Sequence, residues 1–125
     1  MIGVGIDIVD IKRIARLIEK YGDGFTKKVF TDNEIQHCSK SYSASSNFAG
    51  RWAVKEAFYK ALPDSCQPFS SWKSIEILPG EGTRKPKIVV CTDELQNALK
   101  KSEISKIHVS ISHEQEFCTA IVILE

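Results

Sequence analysis

The run Phe48-Ala-Gly-Arg-Trp-Ala-Val-Lys-Glu-Ala-Phe-Tyr-Lys-Ala-Leu62 constrains the fold more than any other stretch of this chain. It is rich in alanine and aromatic residues and holds no proline, so it reads as one helix. At about 100° per residue, Ala53, Val54, Ala57, Phe58 and Ala61 form the face that a core would cover. Glu56 and Lys60 fall one turn apart just beyond that face, beside Trp52, while Arg51 and Lys55 point elsewhere. A carboxylate and an ammonium at the rim of a core form an i,i+4 pair, which stabilises a helix by a few tenths of a kcal/mol. The same two groups are also placed to meet a charged ligand.

The rest of the chain supplies partners for this helix. Residues 2–9 alternate, with Ile2, Val4, Ile6 and Ile8 on one face and Gly3, Gly5 and Asp7 on the other. That is a strand with an apolar side and an unusually bare opposite side. Glycines beside a carboxylate allow another backbone, or a ligand, to come close. Asp10 can cap the next helix, whose buried stripe is Ile11, Ile14, Leu17 and Ile18, and Tyr21-Gly-Asp-Gly24 ends it. Residues 25–30 read as a short helical piece. Thr31 and Glu34 have capping-box spacing for a helix reaching about residue 39.

Residues 39–47, with five serines, read as a loop, as do 63–71 with their two prolines. Strands are expected over 74–78 and 87–91, a helix over 92–100, and a terminal hairpin of 107–112 and 118–124 across the turn 113–116. Strands and helices mix without βαβ alternation, so the class is α+β. With 125 residues and no repeat or internal boundary, the chain is expected to form one domain over 1–125.

Composition narrows the function. A net charge of +1 excludes a strong field for nucleic acid or membrane surfaces. No apolar run approaches the roughly 20 residues of a membrane span. Asp7 and Asp10 interrupt the apolar opening, which has no cationic leader, so no secretory signal is expected and the compartment should be the cytoplasm. Cys38, Cys66, Cys91 and Cys118 are scattered without a C-x-x-C pair and read as reduced thiols. No serine has a G-x-S-x-G elbow, no Cys or His pair has zinc spacing, and Gly3-Val-Gly5 lacks a third glycine of a nucleotide fingerprint.

The remaining candidates are Asp7, Glu56, Lys60 and His113. His113 follows a strand in which Ile107, Val109 and Ile111 alternate with His108, Ser110 and Ser112. Two carboxylates from separate elements can hold Mg²⁺, a hard cation that keeps phosphate oxygens and water in its shell. Lys60 and His113 can neutralise further phosphate charge. The set suits phosphoryl chemistry.

Four segments together carry a resemblance. Ile2-Gly-Val-Gly-Ile-Asp-Ile-Val-Asp10 with Arg13-Ile14, Phe30-Thr-Asp-Asn-Glu34, the central helix and His108-Val-Ser-Ile-Ser-His113 resemble, in order and spacing, the holo-acyl-carrier-protein synthases. These are the small 4′-phosphopantetheinyl transferases. The resemblance implies their fold, an antiparallel sheet packed against a long central helix and shorter helices. It also implies transfer of 4′-phosphopantetheine from coenzyme A to a serine of apo-acyl carrier protein, in fatty acid biosynthesis. Asp7 and Glu56 would hold Mg²⁺ against the pyrophosphate, Lys60 and His113 would contact phosphates, and Arg51 would lie at the nucleotide end. Lys12, Arg13, Arg16 and Lys20 on the first helix would meet the acidic carrier protein. The family's homotrimers with interfacial sites imply that Asp7 and His113 come from one protomer, and Glu56 and Lys60 from its neighbour, or the reverse. Two departures stand out: Trp52 replaces a usual phenylalanine, and Arg84-Lys-Pro86 replaces a Gly-x-Pro step. Rival readings are a Mg²⁺-dependent phosphohydrolase of coenzyme A or a nucleotide, and a non-catalytic coenzyme A binding module.

Overall fold

The computed structural model describes residues 2–67, 69–80, 82 and 85–125. Among these residues, five strands and five α-helices follow in the order β1 (Gly3–Asp10), α1 (Ile11–Tyr21), α2 (Asp23–Val29), α3 (Asp32–Ser39), α4 (Ala44–Ala61), β2 (Ile75–Pro79), β3 (Pro86–Val90), α5 (Asp93–Lys101), β4 (Ile107–His113) and β5 (Phe117–Leu124). Single 3₁₀ turns lie at Asp64–Cys66 and Trp72–Ser74. The expected α+β class holds. β1, β5 and β4 form an antiparallel sheet in that order, and β2 and β3 form a separate antiparallel pair.

Helix α4 lies across the inner face of the three-stranded sheet, and glycine is the reason it lies so low. A Cβ on Gly3 would stand 2.0 Å from the Ala61 carbonyl oxygen, and one on Gly5 would stand 1.9 Å from that of Ala57. Of the two readings open for the bare side of β1, the approaching backbone is therefore the correct one. Ala53, Val54, Ala57, Phe58 and Ala61 are all buried, as the helical period requires. They pack with Ile14, Phe30, Ile75, Ile77, Val122 and Leu124 into one core.

Hydropathy alone would turn the isoleucines of β1 inward, yet Ile6 and Ile8 are 63% and 69% exposed. The register extends this apolar surface across the sheet: Val4, Ile6 and Ile8 pair with Ile123, Ile121 and Thr119 of β5. Along β4 the sides fall as alternation requires. Ile107, Val109 and Ile111 are half-buried, whereas His108, Ser110 and Ser112 are exposed.

Local signals set most boundaries. Asp10 caps α1 by accepting a hydrogen bond from the Lys12 amide at 3.0 Å. Gly22 closes that helix at φ 52°, a conformation glycine tolerates without strain. Helix α2 then begins at Asp23, two residues before the expected piece. Thr31 and Glu34 make the full capping box. The serine-rich loop is shorter than expected, because α4 begins at Ala44 and extends the central helix by a turn. Ser45, Ser46 and Asn47 accept helical geometry once the Asn47 amide bonds the Ser43 carbonyl at 3.0 Å. Arg84, the first residue of the unusual step before Pro86, lies outside the described residues.

Candidate active site

Three of the four candidate residues meet within this one chain. Asp7 faces inward from the glycine side of β1, and its carbonyl accepts a hydrogen bond from the Thr119 hydroxyl at 2.8 Å, which ties it to β5. The Lys60 ammonium donates to Asp7 Oδ1 at 3.0 Å and to the Ile6 carbonyl at 3.1 Å. Glu56, one turn earlier on α4, is half-buried. Its carboxyl pKa is raised above the ordinary 4.5, first by burial and then by the negative charge of Asp7, with Lys60 and Arg13 opposing. Two acidic groups therefore share one rim with the Lys60 ammonium.

That rim is electrostatically incomplete. Asp7 Oδ2 is buried and, among the described residues, has no hydrogen-bond partner. A buried carboxylate oxygen left unpaired costs free energy unless a donor or cation fills the position. The expected division of these residues between protomers is therefore overturned, because Asp7 pairs with Lys60 and couples to Glu56 inside one chain. The physical cause is the glycine-bearing side of β1, which lets α4 settle onto the strand that carries Asp7.

His113 belongs elsewhere. Its imidazole lies over Gly50, where an added Cβ would stand 3.0 Å from Nε2. Gly50 precedes Glu56 by six residues, about 9 Å along a helix axis. The fold does not bring His113 into the Asp7–Glu56–Lys60 group. Arg51 follows Gly50 and is buried, with Nη1 donating to the Asn47 carbonyl at 3.4 Å and Nε without a hydrogen-bond partner among the described residues. Burial pushes the Cys38 thiol up to about 11, with the Arg51 charge working in the opposite direction. Lys12, Arg13, Arg16 and Lys20 are all exposed on α1, and Arg13 is near enough to act on Glu56.

The sequence reading missed the pair behind this rim. Lys55 and Glu34 are both 0% exposed and joined at 3.0 Å. The Lys55 ammonium also donates to the Trp72 and Ile75 carbonyls, each at 2.7 Å. Glu34 accepts from the Thr31 amide at 2.8 Å and the Ile77 amide at 2.9 Å. Burial lowers the Lys55 pKa, and Glu34 works against that fall. The available signal was that Lys55 borders the buried face, next to Val54 and three residues before Phe58.

No cluster of three or more His, Cys, Asp or Glu suited to a metal occurs among the described residues. All four cysteines are free, as expected. Among the described residues, no helix is long and apolar enough to cross a membrane.

A family model described as the 4′-phosphopantetheinyl transferase superfamily matches residues 3–122. The holo-[acyl-carrier-protein] synthase of Chlamydia trachomatis serovar D is 37% identical over 125 residues, covering 100% of both chains. Among solved structures, the Helicobacter pylori holo-[acyl-carrier-protein] synthase in complex with coenzyme A superposes with a TM-score of 0.78 at 28% identity. That match covers 98% of this chain and 99% of the other. A Bacillus anthracis holo-(acyl-carrier-protein) synthase in complex with CoA (3′,5′-ADP) gives 0.75 at 30% identity, covering 98% and 95%.

Proposed function

The chain belongs to the 4′-phosphopantetheinyl transferase superfamily, and from that premise we infer that it transfers 4′-phosphopantetheine from coenzyme A to a serine of apo-acyl carrier protein. One observation carries the reading beyond kinship. Asp7, Glu56 and Lys60, three of the four residues the resemblance assigns to the metal and the phosphates, converge on one rim of a single chain.

The donor set fits Mg²⁺. Asp7 and Glu56 offer hard carboxylate oxygens, one of them buried without a partner, and the two acids strain against each other in the absence of a cation. Two protein ligands leave the rest of the shell to phosphate and water, as suits this ion. When bound, Mg²⁺ supplies charge neutralisation on the pyrophosphate oxygens.

The chain's own residues do the positioning. Lys60, half-exposed at 54%, is free to turn its ammonium from Asp7 toward a phosphate oxygen. The carrier serine oxygen bonds to the phosphorus bearing pantetheine. The phosphorus–oxygen bond to adenosine 3′,5′-bisphosphate breaks, and the serine proton passes to Glu56 or to water beside it. Such a step needs orientation and charge stabilisation and no covalent enzyme intermediate. Arg51 marks the nucleotide end, further along α4 toward its start. The exposed bases Lys12, Arg13, Arg16 and Lys20 receive the acidic carrier protein, and Arg13 links that surface to the site.

Self-association completes the reading. The outward side of β1 and β5, with Ile6, Ile8, Ile121 and Phe117 exposed, is the kind of apolar patch that marks an interface. A homotrimer of single-domain, cytoplasmic chains would bury it and bring a neighbour's His113 toward the Asp7–Glu56 rim. The test is intact-mass analysis of apo-carrier protein after incubation with this chain, coenzyme A and Mg²⁺. A gain of one phosphopantetheine supports transfer. Bisphosphate release without carrier points to hydrolysis, and tight coenzyme A binding with no mass gain points to a binding module.

A further inference from the structure

Lys55 and Glu56 are neighbours in sequence with opposite surroundings, and Trp72, held by Lys55, packs on Trp52 and Tyr59, which flank Glu56 along the helix. The Lys55 ammonium spends its three donors on Glu34 at 3.0 Å and on the Trp72 and Ile75 carbonyls at 2.7 Å each, fully buried. The Trp72 carbonyl is thus fixed from beneath the helix. Its ring then folds onto the outer side of α4, 5.0 Å from the Trp52 ring and 5.9 Å from that of Tyr59. Trp52 and Tyr59 are the i−4 and i+3 neighbours of Glu56, with Cβ atoms about 5–6 Å away on a helix surface. Phe69 closes the outer side of the group, 5.3 Å from Trp72 and 5.2 Å from Tyr59.

We propose that Lys55 is a positioning residue for the transfer reaction, acting through the Trp72 carbonyl to seat the Trp72 ring as one wall of the Glu56 site. The proposal rests on the functional reading above and adds a residue that touches neither substrate nor metal. Chemically, an aromatic wall excludes water from one flank of Glu56, which strengthens the electrostatic interactions made there. It also restricts the rotamers of the Glu56 side chain, and a misplacement of about 1 Å can cost about a hundredfold in rate.

The protein has two tryptophans, and they touch each other, so near-UV circular dichroism reports their seating without turnover. Trp72→Ala leaves the Lys55–carbonyl bond in place and removes the wall. It should lower kcat by about tenfold while the KM values for coenzyme A and carrier protein stay within about twofold. Trp72→Phe, which keeps a ring, should recover most of that loss. Lys55→Met should lose the near-UV band of the tilted Trp52–Trp72 pair and lower kcat to a similar degree. Wild-type kcat in Trp72→Ala overturns the proposal. So does a folded Lys55→Met that keeps both the band and the rate. Should Lys55→Met fail to fold, the comparison of Trp72→Ala with Trp72→Phe decides, since a solely structural ring would not separate kcat from KM. If the wild type transfers nothing, the functional reading fails. The near-UV band of Lys55→Met then decides alone whether Lys55 seats Trp72.

Discussion

Two charged groups flank the buried face of α4, and they follow opposite rules. Behind the helix, Lys55 and Glu34 are fully buried, and each finds several partners. In front, Glu56 and Asp7 crowd two acidic groups around Lys60, and Asp7 Oδ2 is left without a partner among the described residues. The rear pair is complete and contributes to holding α3, α4 and β2 together. The front group is incomplete in the isolated chain and gains by binding something positive. The contrast separates a polar network built for the fold from one built for a ligand.

The most disruptive way to break this contrast is Lys55→Met. Removing one partner leaves the Glu34 charge buried and unpaired, a change that typically costs about 3–5 kcal/mol. Urea denaturation measures the loss, and a change below about 1 kcal/mol would show that the rear pair contributes little beyond a surface bridge.

Glu56→Gln should do the reverse at the front. Transfer falls by about a hundredfold or more as the charge at the reacting phosphates is lost. The metal-free protein should nevertheless melt above the wild type, because the repulsion with Asp7 is relieved. Mg²⁺ should raise the melting temperature of the wild type and leave that of the variant unchanged. A variant with unchanged turnover would remove Glu56 from the site.

Titration sharpens the same comparison more gently. The folded pKa of Glu56 is raised above 4.5, so between 4.5 and that raised value the folded chain holds a proton that the unfolded chain has lost. The contribution of this group to stability is therefore lost as pH rises through that window. Metal-free thermal melts of wild type minus Glu56→Gln, taken across acidic pH, should show that slope. A flat difference would argue that neither burial nor Asp7 raises the Glu56 pKa in the folded chain. Activity should move in the opposite sense, since the ionised form is needed, and should fall as pH drops through the raised value.

The smallest effect belongs to Arg13→Ala. An exposed charge contributes up to about 1 kcal/mol, so the KM for carrier protein should rise by no more than about fivefold and that for coenzyme A by less. Equal rises in both would point to its influence on Glu56 in place of carrier docking.

Much of this was legible in the chain because it is written in local geometry. The buried face of α4, the Thr31–Glu34 capping box and the alternation of β4 depend on neighbours three or four residues away, or on every second residue. Asp7, Glu56 and Lys60 were legible as chemistry, since two carboxylates and an ammonium on separate elements suit a diphosphate and its cation. The placement of each was not. Whether the isoleucines of β1 face the core depends on which side a helix covers, and the glycines settled that by admitting α4 to within backbone contact. That same approach put Asp7 beside Glu56 and Lys60 in one protomer and left His113 against Gly50. It also decided that Lys55 is sealed inside while Glu56, the next residue, stands at the rim. Periodicity records which residues share a face. Only the packing of layers determines what each face meets, because that energy comes from contacts between segments far apart in sequence.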